Sequence, residues 1–302
     1  MTDLILHHYE LSPFSEKIRA LLGYADLPWQ SVSVREFPPR PELDQLTGGY
    51  RKIPVAQIGA DIFCDTRTIS SEIAALAGKP ELALENCSQE VQDFVARADL
   101  EVFLACVLSA NGRNLLKRMR RDHSVFHVAR LMFDRVNMAR KARVKAAGPK
   151  EAGKVLAEHL QHLESMLERD FLFGDDPSIA DFAAYHGLWF IRDASASSRL
   201  AGYPEVNAWM DRIAAFGRDR PSEISTAESL EQARRNQPRA LPQSRNSSSG
   251  KAVTIAPADY GRHGVTGQLV ASTDQRWILA RKAEDCGTVH VHFPKQGFIL
   301  DP

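Results

Sequence analysis

The hydrophobic pattern of this chain changes character near residue 85, and that change limits what the chain can fold into. Before it, short strand-like runs alternate with helix-like runs, which is typical of a small α/β domain. After it, from Ser88 to Gly217, the apolar spacing is helical throughout. We therefore expect an α/β domain over residues 1–80 and a separate all-helical bundle over residues 85–220.

Local signals place the first elements. The run 4–9 reads as a strand, and Ser12 followed by Pro13 is a typical helix start. Residues 54–64 read as a hairpin that turns at Gly59, and residues 66–77 have helical spacing. The order strand, helix, hairpin, helix favours a compact α/β unit.

The last third of the chain has a different composition. Residues 221–250 are rich in Arg, Gln, Pro and Ser, which predicts a linker that buries too little apolar surface to order itself. Residues 251–302 contain short alternating runs separated by glycines. We expect a small all-β appendage there, packed on the rest of the chain because about 50 residues are near the lower limit for independent stability.

Charge and apolar content exclude several classes of partner. Among 302 residues, 38 are Lys or Arg and 38 are Asp or Glu, so no field from the whole protein attracts nucleic acid or an anionic membrane. A basic cluster over residues 113–121 has helical spacing without interleaved aromatics, which favours a solvated face. The chain has no apolar run long enough to span a membrane and a polar start unlike a secretory signal. We expect a cytoplasmic protein with neither a nucleic-acid nor a membrane partner.

Cysteine and histidine spacing gives no clear metal motif. The four cysteines are scattered without a CxxC pair, which suits reduced thiols: they are Cys64, Cys87, Cys106 and Cys286. His290 and His292 share a strand face and could join Cys286, but three ligands without a fourth favour ordinary strand histidines. The expectation is that no metal is bound.

Three motifs occur in a fixed order along the first 217 residues. They are Ser12-Pro13-Phe14-Ser15 at a helix start, Lys52-Ile53-Pro54-Val55 with Asp65-Thr66 around the hairpin, and Ser178-Ile179-Ala180-Asp181 in the helical half. In this order and at these separations they resemble the cytosolic glutathione S-transferase family. The resemblance implies a thioredoxin-like first domain that binds glutathione, an all-helical second domain and a homodimer.

The same resemblance assigns roles to single residues. Ser12 matches the activating hydroxyl of serine-type classes such as tau and zeta, and the cysteine of omega-type members. Ile53-Pro54 matches the cis-proline pair whose backbone binds the cysteinyl part of glutathione. Asp65-Thr66 stands where the family has a Glu-Ser pair that holds the γ-glutamyl end, with a change of reach and shape.

Each candidate also has a structural interpretation. A glutathione thiol with a pKa of about 8.5 must be held as thiolate, which a hydroxyl donor at a helix N-terminus favours, yet Ser12 can equally serve only as the helix cap. Ser15 and Tyr9 are the alternative hydroxyls. Pro54 can be a trans strand-opening proline, and Asp65 and Thr66 can simply cap a helix.

The remaining candidates complete the expected site. Lys52 and Arg67 supply counter-charges for the two glutathione carboxylates, or are solvated surface residues. Ser178 and Asp181 read as a capping box with a folding role.

The leading functional hypothesis is an enzyme whose bound glutathione thiolate attacks an apolar, small-molecule electrophile in an interdomain cleft. The alternative is a non-catalytic binding or scaffold protein with a degenerate site, whose β appendage binds a partner or covers the cleft. A thiol–disulfide reductase is disfavoured because serines stand where a Cys-x-x-Cys pair would act, and only activity dependent on Cys64 would favour it.

Overall fold

The computed structural model describes residues 4–142, 148–217, 221–242 and 250–302. It begins with a small α/β unit. The strands are β1 (Leu4–His8), β2 (Trp29–Ser33), β3 (Val55–Ile58) and β4 (Asp61–Cys64), and the helices are α1 (Pro13–Ala25), α2 (Pro41–Thr47) and α3 (Thr66–Ala77). β1 runs parallel to β2 and antiparallel to β3, which forms a hairpin with β4. This confirms the thioredoxin-like first domain.

Short-range signals explain where these elements begin and end. The Ser12 Oγ atom accepts a hydrogen bond from the Ser15 amide at 3.2 Å and caps α1, whose first residue is Pro13. Gly59 turns the hairpin with a φ of 58°, and Gly78 ends α3 with a φ of 65°. Both conformations are easily adopted by a residue without a Cβ atom.

The second part is helical, as predicted. Its helices are α4 (Gln89–Arg97), α5 (Phe103–Ser109), α6 (Gly112–Asp122), α7 (Val125–Lys141), α8 (Pro149–Met166), α9 (Ile179–Trp189) and α10 (Pro204–Ala215). Every residue of α9 is buried, and it packs against α1 of the first domain. None of the helices in the described ranges combines the length and apolar character needed to cross a bilayer.

The expectation of an unordered linker over 221–250 is wrong for its described part. Strand β5 (Ser222–Glu223) pairs parallel with β2, and helix α11 (Thr226–Arg235) follows it. Ser225 and Glu228 form a reciprocal capping box that starts α11. The Gln57 side chain donates to the Ser229 carbonyl oxygen at 2.8 Å. Packing against the first domain therefore orders a segment whose composition alone predicted disorder, while residues 243–249 lie outside the described residues.

The C-terminal residues are all-β, as predicted, and they extend the existing sheet. Strands β6 (Ala252–Pro257), β7 (Val265–Ser272), β8 (Arg276–Ala283), β9 (Gly287–Pro294) and β10 (Phe298–Asp301) form antiparallel neighbours. β9 then pairs parallel with β4, which gives one ten-stranded sheet in the order β10-β6-β7-β8-β9-β4-β3-β1-β2-β5. Phe293 and Val291 share a core with Leu46 and Val55. The C-terminal strands thus share a sheet and a core with the first domain, although the sequence analysis treated them as an appendage.

Candidate functional site

One cavity of about 240 Å³ lies where the first domain, the helical domain and the C-terminal strands meet. Its volume is slightly below the range of roughly 300–1,000 Å³ that is typical of ligand pockets. All six residues predicted to bind glutathione line it: Lys52, Ile53, Pro54, Asp65, Thr66 and Arg67. The topology therefore brings together two motifs that are separated by the β3–β4 hairpin.

Backbone geometry positions the two motifs. The Ile53–Pro54 peptide bond is cis and directly precedes β3. Asp65 has a φ of 81°, an uncommon conformation for a residue with a Cβ atom, and its Oδ1 accepts from the Arg67 amide at 3.0 Å. Burial raises the pKa of Asp65, and the charge of Lys52 opposes that rise. A carboxylate, a hydroxyl and the start of α3 consequently face one small space.

The loops between β6 and β7 and between β9 and β10 contribute one wall of the cavity. Lys52 Nζ lies 2.7 Å from Asp259 Oδ1 and 4.1 Å from the centroid of the Tyr260 ring. Arg67 Nη1 donates to the side-chain oxygen of Gln296. Both cations predicted to hold glutathione carboxylates therefore already contact side chains of this wall.

Tyr50 is a lining residue that the sequence analysis missed. The side chain is almost fully buried, and its hydroxyl has no hydrogen-bond partner among the described residues. Burial raises its pKa well above the ordinary value, so the phenol stays protonated and can donate. An unpartnered donor in a cavity wall is a place where a polar ligand gains a hydrogen bond.

The three candidate hydroxyls lie elsewhere. The described residues that line the cavity do not include Tyr9, Ser12 or Ser15. Ser12 is 2% exposed and caps α1, while Ser15 is fully buried with no partner for its hydroxyl among the described residues. The Tyr9 hydroxyl accepts from Arg135 Nη2 at 3.1 Å. The geometry thus favours the cap as the role of Ser12.

A charged cluster on the helical side was also missed. Lys17 Nζ lies 2.7 Å from Asp99 Oδ2, and His186 Nε2 lies 3.1 Å from Asp99 Oδ1. Burial alone would raise the pKa of Asp99, but the Lys17 charge and the His186 hydrogen bond lower it to about 2. Lys17 and Asp99 line the cavity, so they supply a charged edge and tie α1 to the helical domain. A lysine three residues after Phe14, on the face of α1 that the spacing predicts to be apolar, was the available signal.

Thiol chemistry at Cys64 finds no support in the surroundings of that side chain. Cys64 is fully buried, and that burial raises its pKa well above the ordinary value. A protonated, inaccessible thiol is a poor nucleophile. His292, one of the strand histidines, lies 2.8 Å from the Asp61 carboxylate and is used in that buried contact.

Comparison with known proteins agrees with this architecture. The sequence matches the family models for the N-terminal domain of glutathione S-transferase over residues 6–81 and for its C-terminal domain over residues 124–216. The chain is 34% identical to a GST-like protein from Pseudomonas syringae whose crystal structure is known. The alignment covers 99% of each chain, and the two structures superimpose with a TM-score of 0.77. That coverage includes the C-terminal strands.

Two further matches are to one protein, FtsZ-localized protein A (FzlA). FtsZ-localized protein A of Caulobacter vibrioides is 26% identical over 189 residues, which is 59% of this chain and 73% of that protein. A structure of FzlA from C. crescentus is 25% identical, covers 70% of this chain and 87% of its own, and has a TM-score of 0.49.

Proposed function

Because the chain belongs to the glutathione S-transferase family, we propose that it is a glutathione-transferase-like binding protein in which the loop between β6 and β7 occupies part of the tripeptide site. The observation that carries this proposal is the contact between Lys52 and Asp259, at 2.7 and 2.9 Å. Asp259 presents to Lys52 the same group, a carboxylate, that glutathione would present. A free tripeptide must displace Asp259 before Lys52 can bind it.

The burial of the candidate hydroxyls supports a non-catalytic role. A hydroxyl that stabilises a thiolate must donate to the sulfur, so it has to reach the ligand. The Ser12 side chain is buried at the start of α1 and accepts from the Ser15 amide. A binding role requires no such donor.

The FtsZ-localized relative supports a protein partner. Its name describes a location with another protein, which favours binding or scaffolding over small-molecule turnover for this chain too. A cytoplasmic location is part of the proposal, supported by four cysteines that are free thiols.

Glutathione transferase activity of the serine type is the second candidate function. It is favoured by the single cavity that gathers Lys52, Ile53, Pro54, Asp65, Thr66 and Arg67. In this alternative Ser12 stabilises the glutathione thiolate, and the sulfur attacks an apolar electrophile that enters from the helical domain. The two functions differ in what glutathione and Ser12 do.

A glutathione titration of the full chain separates the two. We expect wild-type protein to bind reduced glutathione weakly by calorimetry, and Asp259→Asn to bind it roughly 3- to 10-fold more tightly because Lys52 loses its competing partner. Glu284→Gln is the matched control, since it removes an exposed carboxylate from another loop of the C-terminal sheet, the turn between β8 and β9. Turnover of 1-chloro-2,4-dinitrobenzene should stay near the uncatalysed rate in all three proteins.

The opposite pattern would establish the transferase. Tight wild-type binding, clear turnover and a loss of roughly 100-fold in kcat for Ser12→Ala would contradict the binding-protein proposal. Equal glutathione affinity of Asp259→Asn and wild type would remove the argument from the Lys52–Asp259 contact.

We also propose that the chain forms a homodimer through α7. Phe126 is 88% exposed and Phe133 is 67% exposed, and their spacing of seven residues puts them on one face of that helix. The double variant Phe126→Asp, Phe133→Asp should raise the dimer dissociation constant at least 100-fold in sedimentation equilibrium. Leu241→Asp, at another exposed apolar side chain, should leave it unchanged; a monomeric wild type would refute the proposal.

A further inference from the structure

Three side chains from distant parts of the chain meet on the side of the molecule where α7 approaches the first domain. Glu36 follows β2, His123 lies between α6 and α7, and His127 is in the first turn of α7. His123 Nε2 is 2.9 Å from Glu36 Oε1, and His127 Nε2 is 2.9 Å from Glu36 Oε2. Each imidazole therefore contacts a different oxygen of the Glu36 carboxylate.

The two rings are stacked. Their centroids are 4.4 Å apart with 12° between the ring planes, and both Nε2 atoms face the Glu36 carboxylate. One ligand atom from each of the three residues lies within 4.8 Å of the other two. In a tetrahedral zinc site with bonds of about 2.0–2.1 Å, ligand atoms are roughly 3.3 Å apart. The longest of these separations must shorten by up to about 1.5 Å to reach that spacing.

The neighbours fix the parts of the cluster without using its ligand atoms. The Glu36 carbonyl oxygen accepts from Arg135 Nη2 at 2.9 Å, and the Phe37 ring lies 5.0 Å from the His127 ring. The Ser124 hydroxyl accepts from the His127 amide at 3.2 Å and caps α7. These contacts hold the backbone of Glu36 and the backbone and ring of His127 in place.

We propose that Glu36, His123 and His127 bind a zinc ion that joins the first domain to α7. Two imidazoles and one carboxylate are a known zinc donor set, and three protein ligands leave one position open to solvent. Both rings are partly exposed, which gives the ion a path of entry. Binding through Nε2 places the ring proton on Nδ1.

The sequence predicted no metal site, and the histidines weighed as ligands there were His290 and His292. His123 and His127 are four residues apart, and this spacing is the part of the site that the sequence could have indicated. Glu36 is 91 residues from His127, and only the packing of the two domains brings it there. The ion would join two segments that are far apart in the sequence.

Titration of metal-stripped, untagged full-length protein with ZnCl₂ at pH 7.5 tests the site. We expect one zinc per chain, and a dissociation constant that rises at least 10-fold in His123→Ala, His127→Ala and Glu36→Gln. His162→Ala is the matched control, because it removes an exposed histidine on α8 and should leave zinc binding unchanged. Co²⁺ bound in place of zinc should give the strong visible absorption of a tetrahedral site, and that absorption should be lost in the same three variants.

Either of two results would overturn the proposal. If wild type binds no zinc, or if the three ligand variants bind it as wild type does, the cluster is an interdomain hydrogen-bonded group only. Glu36→Gln keeps the size of the side chain and one carbonyl oxygen, so it reports on the ligand even if an alanine variant fails to fold. Circular dichroism of each metal-free variant identifies those that are folded.

Discussion

Replacing Asp181 with alanine should lower the free energy of unfolding by roughly 3–5 kcal/mol, because it leaves buried donors without an acceptor. Asp181 is fully buried and accepts from the Leu172 amide, the Ser178 amide and Trp209 Nε1, each at 2.9 Å. Its carboxylate thus joins the loop before α9, the cap of α9 and a core tryptophan of α10. Urea denaturation followed by circular dichroism measures the loss.

Two variants serve as comparisons: a substitution of Asp175, in the loop before α9, and a conservative substitution of Asp181 itself. Asp175→Ala removes a side chain that is 79% exposed and should cost less than about 0.5 kcal/mol. Asp181→Asn keeps one carbonyl oxygen but turns an amide group toward a backbone donor, so it should fall between the two. Equal stability of Asp181→Ala and Asp175→Ala would show that the buried carboxylate adds nothing.

Lowering the pH from 7.5 to 5 should destabilise the protein by several kcal/mol through its buried histidines. Burial lowers the pKa of His7 to about 4 and the pKa of His159 to about 3; burial, with a further effect of the Arg19 charge, lowers that of His8 to about 3. The unfolded chain takes up these protons near pH 6.5, whereas the folded chain does not. Their contribution to stability is complete above pH 6.5 and is lost as the pH falls toward the folded pKa values, by roughly 2 kcal/mol per histidine at pH 5.

A single substitution isolates this effect. His159 lies beside Phe94, and its Nε2 atom has no partner among the described residues, so His159→Phe removes the proton site without stranding a donor or acceptor. The slope of unfolding free energy against pH between 5 and 6.5 should decrease in this variant. His162→Phe, one turn away and exposed, should keep the wild-type slope. An unchanged slope in His159→Phe would contradict the burial argument.

The candidate site was predictable to the extent that its residues sit in local motifs. Lys52 through Pro54 and Asp65 through Arg67 could be named because each motif adjoins a strand or helix end that the sequence also marks. Tyr50 and Asp259 could not be named, since neither lies in a local pattern. The Lys52–Asp259 contact joins residues 207 positions apart.

Helix α11 has a start signal in the sequence, but the polar composition of the segment around it predicted a linker. Ser225 and Glu228 have the spacing of a capping box, while the composition around them is that of a linker. The small residues Ser229 and Ala233 let α11 lie close to the sheet, where both are buried. Composition measures average apolar content, so it overlooks a helix that packs through small side chains.

The sequence by itself determined the elements whose ends depend on neighbours within about four residues: the capped start of α1, the turn at Gly59, the end of α3 at Gly78 and the capping box at Ser178. Their hydrogen bonds and backbone angles are short-range, so residue type is enough. Only the tertiary structure decided that β9 pairs with β4, that Asp259 contacts Lys52 and that Glu36 meets His127. An edge strand can accept many partners and a surface charge many counter-charges, and the choice is made by packing of the whole chain.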